Sequence, residues 1–336
     1  MEIHSRTDRS IFTLVLQTIL RPLKPRLVTL KKKFPAGSPR LTYDSKIRKR
    51  VKVVEWQHQK TAIWLYDITP SSHQDDEHDA KEKKKLHMYY FAGGGWQGPP
   101  SGEHWKFCAE LARKVPGLTV TIVSPPLAPN SPAVSAFPVL RELYDSILEE
   151  SSGSASGGAE EERIIFAGDS SGGNLALCLV MDGLARRTPA AAAESAKKVA
   201  VLAISPAVDL RPMELEKDVG LLAASRRDPL LTVESHNSEA RMWTHDVDPA
   251  SPWLTPLLAD VEALGCAGVR VIGVTGGYDI LTTSALQFRD ACVAGGVQGA
   301  WLQWERQMHC FPLVFSYRFA EAVTAKDWVI GQIKTL

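Results

Sequence analysis

The sequence predicts an α/β protein: a mostly parallel sheet of about eight strands, helices on both faces, and a helical cap. Three observations carry this. From residue 86 onward, short apolar runs alternate with segments of helical period, the pattern of parallel strands joined by helical crossovers. Runs such as Ile164-Ile165-Phe166-Ala167 contain no polar residue, as expected of strands buried on both faces. A glycine- and serine-rich turn, Gly168-Asp169-Ser170-Ser171-Gly172-Gly173-Asn174, joins that run directly to a helical segment.

Taken in order, residues 11–20 are apolar and follow Arg6 and Arg9. They are too few for a transmembrane helix, which needs about 20 residues. The Arg21-Pro22-Leu23-Lys24-Pro25 that follows offers no small-residue cleavage site. The segment is expected to be an amphipathic helix covering a pocket, with membrane-surface contact through residues 10–30 as the alternative. Residues 51–56 and 61–66 alternate apolar and polar and predict antiparallel strands. Residues 71–85 hold no apolar side chain but Ala80 and predict a solvated hairpin loop. Its His73 and His78 have nothing around them to build a dry ligand shell, so no metal site is expected.

Strands are then predicted at 86–91, 118–123, 163–167, 198–204, 269–274 and 300–304, and helices at 103–115, 137–150, 174–187, 282–293 and after Phe311, with a Gly/Ser/Glu linker at 151–162. Residues 211–248 have helical patches and no clear strand. The expected division is 1–45 as the N-terminal part of the cap, 46–210 as the first part of the core, 211–250 as the cap insertion and 251–336 as the second part of the core.

Composition bounds the function. With 336 residues, 44% of them hydrophobic, the chain can bury a core without staples. Its 39 basic and 38 acidic residues leave a net charge of +1, without the basic excess of a nucleic-acid binder. The five cysteines are odd in number and contain no CxxC pair, which fits reduced thiols in a cytoplasmic protein, or one peripheral to an intracellular membrane, better than a disulfide framework. Cys310 is expected to be a small packing residue. Oligomeric state is left open.

The chemistry concentrates at three places. Gly168-Asp169-Ser170-Ser171-Gly172 is a G-x-S-x-G between strand and helix, the context of a nucleophile elbow. The turn is too tight for side chains at 168 and 172, so Ser170 is pushed out at the carboxyl edge of the sheet. A serine hydroxyl needs a base, and His309 follows the last predicted strand. Asp279 follows the Val271–Val274 run through two glycines and is placed to orient that imidazole; Asp209 is the runner-up acid. In Tyr89-Tyr90-Phe91-Ala92-Gly93-Gly94-Gly95-Trp96 a strand ends in three glycines. The Gly93 and Gly94 amides, with that of Ser171, are candidate oxyanion donors. Phe12, Leu16, Trp96, Leu221, Leu222 and Trp243 are candidate pocket-lining residues.

Over roughly residues 86–315 the chain resembles the hormone-sensitive-lipase-like α/β-hydrolases, serine carboxylesterases of the α/β-hydrolase fold. The resemblance rests on Gly93-Gly94-Gly95, Pro126-Leu127-Ala128-Pro129 with Phe137-Pro138, Gly168 to Asn174, Ser205-Pro206 with Asp209, Ser251-Pro252, Asp279, and Met308-His309 before Phe311. It implies a Ser170–Asp279–His309 triad, no cofactor and no metal, and a cap built from the N-terminus and the insertion after Ser205. Two positions depart from it. The family histidine that braces the oxyanion loop is Ala92 here, and its Tyr-x-Leu-Ala-Pro-Glu stretch reads Ser124-Pro125-Pro126-Leu127-Ala128-Pro129-Asn130. The Ala-Gly-Gly-Gly-Trp variant is similar to a fungal subgroup that includes steryl-acetyl-hydrolase-like proteins and hydrolase-fold proteins of secondary-metabolite pathways. The implied function is hydrolysis of a short-chain or acetyl ester of an apolar small molecule. The alternative is a non-hydrolytic condensation or cyclisation of a polyketide-like substrate on the same fold.

Overall fold

The computed structural model describes residues 1–24, 33–43, 45–71, 85–153, 162–196 and 198–336. Most of the expected hairpin loop (72–84), including His73 and His78, and most of the expected linker (154–161) lie outside the described residues. In chain order come β1 (Glu2–Arg6), α1 (Ile11–Leu20), β2 (Val51–Gln57), β3 (Trp64–Pro70), β4 (Leu86–Phe91), α2 (Gly102–Lys114), β5 (Leu118–Ser124) and α3 (Ala133–Gly153). There follow β6 (Arg163–Asp169), α4 (Ser171–Ala185), α5 (Pro189–Ala196), β7 (Val199–Ile204), α6 (Val219–Arg227) and α7 (Val233–Thr244). The chain ends with α8 (Glu262–Cys266), β8 (Arg270–Tyr278), α9 (Thr282–Ala294), β9 (Gln298–Met308) and α10 (Ala320–Lys334).

The described strands form one nine-stranded sheet in the order β1-β9-β8-β7-β6-β4-β5-β3-β2. All neighbours pair in parallel except at β5–β3 and β3–β2. Side chains alternate between faces along each strand, and both faces are buried. Tyr89 and Phe91 point into one apolar cluster with Ile164 and Phe166, while Met88 and Tyr90 point into the other with Ile165 and Ala167. Helices α3, α4 and α9 cover the first face, and α2 and α10 the second. This double burial is why the runs carry no polar residue.

Three elements differ from expectation. Residues 2–6 are not cap material: they form β1, paired with residues 300–304 of β9. Only one of the five residues is an apolar one, Ile3, and it is 44% exposed; backbone hydrogen bonds hold this edge strand. β3 starts three residues late, because Ala62 turns through φ 56° and its N–H bonds back to the His58 carbonyl. α4 starts at Ser171 and runs through Gly172 and Gly173 despite their low helix propensity. Residues 211–250, expected as a cap insertion, hold α6 and α7, whose Leu221, Ala240 and Trp243 join the first cluster.

Phe166 is fully buried in the centre of β6, its ring 4.9 Å from that of Tyr144 and 6.1 Å from that of Tyr89. Phe166→Ala is expected to cost about 3–5 kcal/mol of stability, read as a lowered urea midpoint at unchanged slope.

Candidate active site

Ser170 sits where β6 passes into α4, with φ 53° and ψ −122°. A non-glycine residue there costs about 1–3 kcal/mol, and the surroundings enforce it. The Ser170 amide donates to the Ile204 carbonyl (2.9 Å), while its own carbonyl accepts from the amides of Asn174 and Ala207 (both 3.1 Å). A Cβ on Gly172 would lie 1.9 Å from the Phe91 carbonyl oxygen, and one on Gly168 would lie 2.4 Å from the Gly172 carbonyl. Only glycine lets the first turn of α4 come this close to the ends of β4 and β6. The Ser170 side chain therefore lines a cavity of about 400 Å³ at the carboxyl edge of the sheet, together with His309 and Gly93 to Gly95. Among the described residues its hydroxyl has no hydrogen-bond partner, a common state before substrate arrives.

His309 lies on the turn after β9. Cys310 adopts the left-handed conformation, and its amide donates to the Ser205 hydroxyl at 3.1 Å. His309 Nδ1 lies 2.8 Å from Asp279 Oδ2, and Asp279 Oδ1 accepts the Leu281 amide at 2.9 Å. Asp279 is fully buried. Burial alone would depress the imidazole pKa; the Asp279 carboxylate outweighs it and holds it well above the ordinary 6.5. With Nδ1 bound to Asp279, Nε2 is left to exchange a proton within the cavity. Asp209, the runner-up acid, pairs instead with Arg211 (3.0 and 2.8 Å).

The oxyanion loop is braced in a way the sequence did not disclose. Asp169 is buried at the end of β6 and accepts from the Tyr90 hydroxyl (2.7 Å), the Gly93 amide (3.0 Å) and His104 Nε2 (3.1 Å). The Ser101 amide donates to His104 Nδ1 at 2.9 Å, leaving Nε2–H to face the carboxylate. Burial would raise the Asp169 pKa, but His104, Tyr90 and Gly93 together keep it below the usual carboxylate value. One expectation is thereby corrected: the Gly93 amide is a brace, already bound to Asp169, and not a free oxyanion donor. The neighbouring Ala92 carries only a methyl group and gives the loop no polar side chain of its own. The Gly94 amide has no acceptor among the described residues, and that of Ser171, as the first residue of α4, has none within its helix. Asn174 locks the assembly by accepting from Trp96 Nε1 and donating to the carbonyls of Ala207 and Leu254.

The six candidate pocket residues are also corrected, since none lines this cavity. Trp96 and Trp243 stack on each other in the core, with centroids 6.1 Å apart and planes 9° apart. Leu221 is buried in the same cluster, and Leu222 is half-buried outside the cavity. Phe12 faces outward and Leu16 packs on the opposite face of the sheet. The apolar wall comes from Leu230, Leu231, Met308, Leu313 and Val314.

Two acids of residues 211–250 went unforeseen, Asp228 buried and Glu239 half-buried. Asp228 accepts three amides, those of Leu230 and Leu231 (2.8 Å each) and Ile280 (3.0 Å), and so ties the cap to the Asp279 loop. Burial, then the neighbouring Asp279, raises its pKa to about 6. Glu239 of α7 projects into the cavity over Gly95, where a Cβ would meet its carboxyl carbon at 2.5 Å. Burial raises its pKa to about 7 against the pull of His309. Cys310 is no reactive thiol, since burial pushes it up to about 12. Among the described residues no cluster of His, Cys, Asp and Glu could hold a metal ion.

A family model described as alpha/beta hydrolase fold matches residues 88–313. The chain is 24% identical over 233 residues, 69% of its own length and 69% of the relative's, to an esterase of Acinetobacter venetianus. Among solved structures it is similar to a hormone-sensitive lipase from a metagenome library (TM-score 0.69, 19% identity, 98% of this chain and 99% of that one). It is also similar to a hyperthermophilic esterase of the archaeon Pyrobaculum calidifontis (TM-score 0.67, 20% identity, 96% and 93%). At these identities the structural likenesses establish the fold.

NMR titration of the histidine rings checks the electrostatics. His309 is expected to keep its second proton to a pH above 6.5, and to lose it at lower pH in Asp279→Asn. His236, which burial depresses first and nearby His309 further, stays uncharged down to about pH 4. A His309 midpoint below 6.5 would contradict the pairing with Asp279.

Proposed function

The chain belongs to the family of the alpha/beta hydrolase fold, and on that premise we propose that it is a serine hydrolase cleaving a carboxylic ester of a small apolar molecule. The observation that carries this is the Asp279–His309 pair, bonded at 2.8 Å and opening into the same cavity as Ser170 on its strained turn. His309 Nε2 takes the proton of Ser170 as the hydroxyl oxygen attacks the ester carbonyl. The Gly94 and Ser171 amides receive the oxyanion, each worth about 3 kcal/mol. The imidazolium, balanced by Asp279, returns the proton to the departing alcohol. Water then repeats the sequence on the acyl-serine and releases the acid. The cavity volume and its apolar wall favour a small ester with a short or acetyl acyl group. Esterase activity in the Acinetobacter relative agrees with this reading. A place near the hormone-sensitive-lipase branch and its fungal subgroup remains part of the proposal and rests on the sequence motifs.

The alternative, condensation or cyclisation through an enolate, drew on Ala92 as a lost brace and on the altered Ser124–Asn130 stretch. Asp169, Tyr90 and His104 supply that brace, which removes the first of these two supports and makes hydrolysis the reading the site supports best.

Ser170→Ala is expected to lose p-nitrophenyl acetate and butyrate hydrolysis by on the order of 10⁴-fold or more, along with labelling by a fluorophosphonate; turnover at the wild-type rate would refute the assignment. In the wild type, kcat/KM rises with pH as His309 gives up its proton. Because that pKa is held above 6.5, the rising limb is expected on the alkaline side of 6.5, and a profile already flat at pH 6 would contradict the role given to His309.

A further inference from the structure

Helix α1 is inside out. At about 100° per residue, Ile11, Phe12, Leu14, Val15, Thr18 and Ile19 fall on one arc of roughly 160°, and this arc faces solvent. Ile11 and Phe12 are 77% and 79% exposed, Val15 and Ile19 50% and 56%. The buried positions of the helix are Thr13 and Gln17. A surface helix ordinarily shows the reverse arrangement.

Hydrogen bonds fix this orientation. The Thr13 hydroxyl donates to Glu321 Oε2 of α10 at 2.7 Å, Gln17 Nε2 donates to the Arg306 carbonyl at 2.9 Å, and the Ser10 amide and hydroxyl both reach the Glu321 carboxylate. Rolling the apolar arc inward would strand a buried carboxylate and two buried polar side chains, so the helix is held with its apolar face out. Scattered exposed apolar residues need no explanation, but five on one arc, continued by Leu23 at 42% exposure, mark a contact surface.

Charge identifies what the surface contacts. α1 carries no charged residue, and the turn that directly follows it, residues 21–24, holds Arg21 and Lys24 and no acid. Arg21 and Lys24 reach backbone carbonyls, of Arg227 at 3.3 Å and Ser225 at 3.0 Å, which leaves their charge unneutralised. Arg9 and Arg21 stand over the Tyr278 ring at 5.4 and 5.9 Å. A second copy of the chain would bring this cationic flank against another. A membrane with anionic headgroups accepts an apolar helix face and a basic flank together. At about 15 Å long, α1 cannot cross a bilayer, and among the described residues no helix is long and apolar enough to do so.

We infer that the outward face of α1 docks on an anionic lipid surface, with the helix lying in the plane of the headgroups and Arg21 and Lys24 directed at them. The docking itself does not depend on the reaction proposed above.

The test is flotation of the full chain with vesicles of pure phosphatidylcholine and with vesicles in which a third is phosphatidylserine. The wild type is expected to float with the mixed vesicles at low salt and to release near 1 M salt, where the Debye length is about 3 Å. Ile11→Ser/Phe12→Ser/Val15→Ser/Ile19→Ser is expected to bind roughly ten-fold more weakly or less, with unchanged Tm and far-UV circular dichroism because all four positions are exposed. Arg21→Glu/Lys24→Glu is expected to lose the preference for the mixed vesicles. Absence of wild-type flotation at low salt, equal flotation of the serine variant, or a dimer in light scattering that the serine variant abolishes without any vesicle binding would overturn the inference.

Discussion

The site hangs on one close approach, that of the Gly172 backbone to the carbonyl of Phe91. No side chain fits between them. The contact presses the start of α4 onto the ends of β4 and β6, and three consequences follow. Ser170 is driven into a positive φ with its hydroxyl outward. Asp169 is left beneath the glycine loop, within reach of the Gly93 amide. Asn174, one turn into the helix, reaches the carbonyls of Ala207 and Leu254 together with the Trp96 indole. The position of Ser170, the glycine loop at 93–95 and the segments at Ala207 and Leu254 thus share one mechanical origin.

Four buried or half-buried carboxyls surround this point, and their surroundings treat them differently. Asp169 receives four donors, from Tyr90, Gly93, His104 and the Cys310 thiol, and its pKa is held below the usual carboxylate value. Asp279 faces the imidazole and makes it more basic. Asp228 receives three backbone amides yet is raised to about 6, because burial and the nearby Asp279 outweigh them. Glu239 is raised to about 7 by burial, against the pull of His309. The ordering follows the balance between desolvation and the donors and charges that each carboxylate meets. It divides the acids into braces, an orienting partner and one group free to change charge inside the cavity near neutral pH.

Much of this was legible in the residues. The elbow, the place of His309 after the last core strand and Asp279 after two glycines were read from local signals: apolar runs, glycine positions and order along the chain. Tyr90, His104 and Asp169 escaped, because their relation is purely spatial; His104 and Asp169 are 65 residues apart with no motif between them. The pocket residues failed for a related reason. Large apolar side chains in a cap segment serve equally well as core or as lining, and Trp96 and Trp243 satisfied each other. Leu230, Leu231 and Glu239 line the cavity from a segment that Asp228 ties to the Ile280 amide, a contact between residues 52 positions apart.

By itself the sequence determined the alternation of strands and helices, the strained serine turn, and the order of serine, acid and histidine. Each of these depends on a periodicity or on glycines within a few residues. The tertiary structure alone decided which amide of the glycine loop is tied down, which acids share the cavity, and which face of α1 meets solvent. Those outcomes rest on hydrogen bonds between distant segments, such as Gly93 to Asp169 and Thr13 to Glu321. In α1 these bonds override hydrophobic periodicity: the same ten residues would pattern equally well with their apolar side inward, and a buried carboxylate 308 positions away from Thr13 turns it outward.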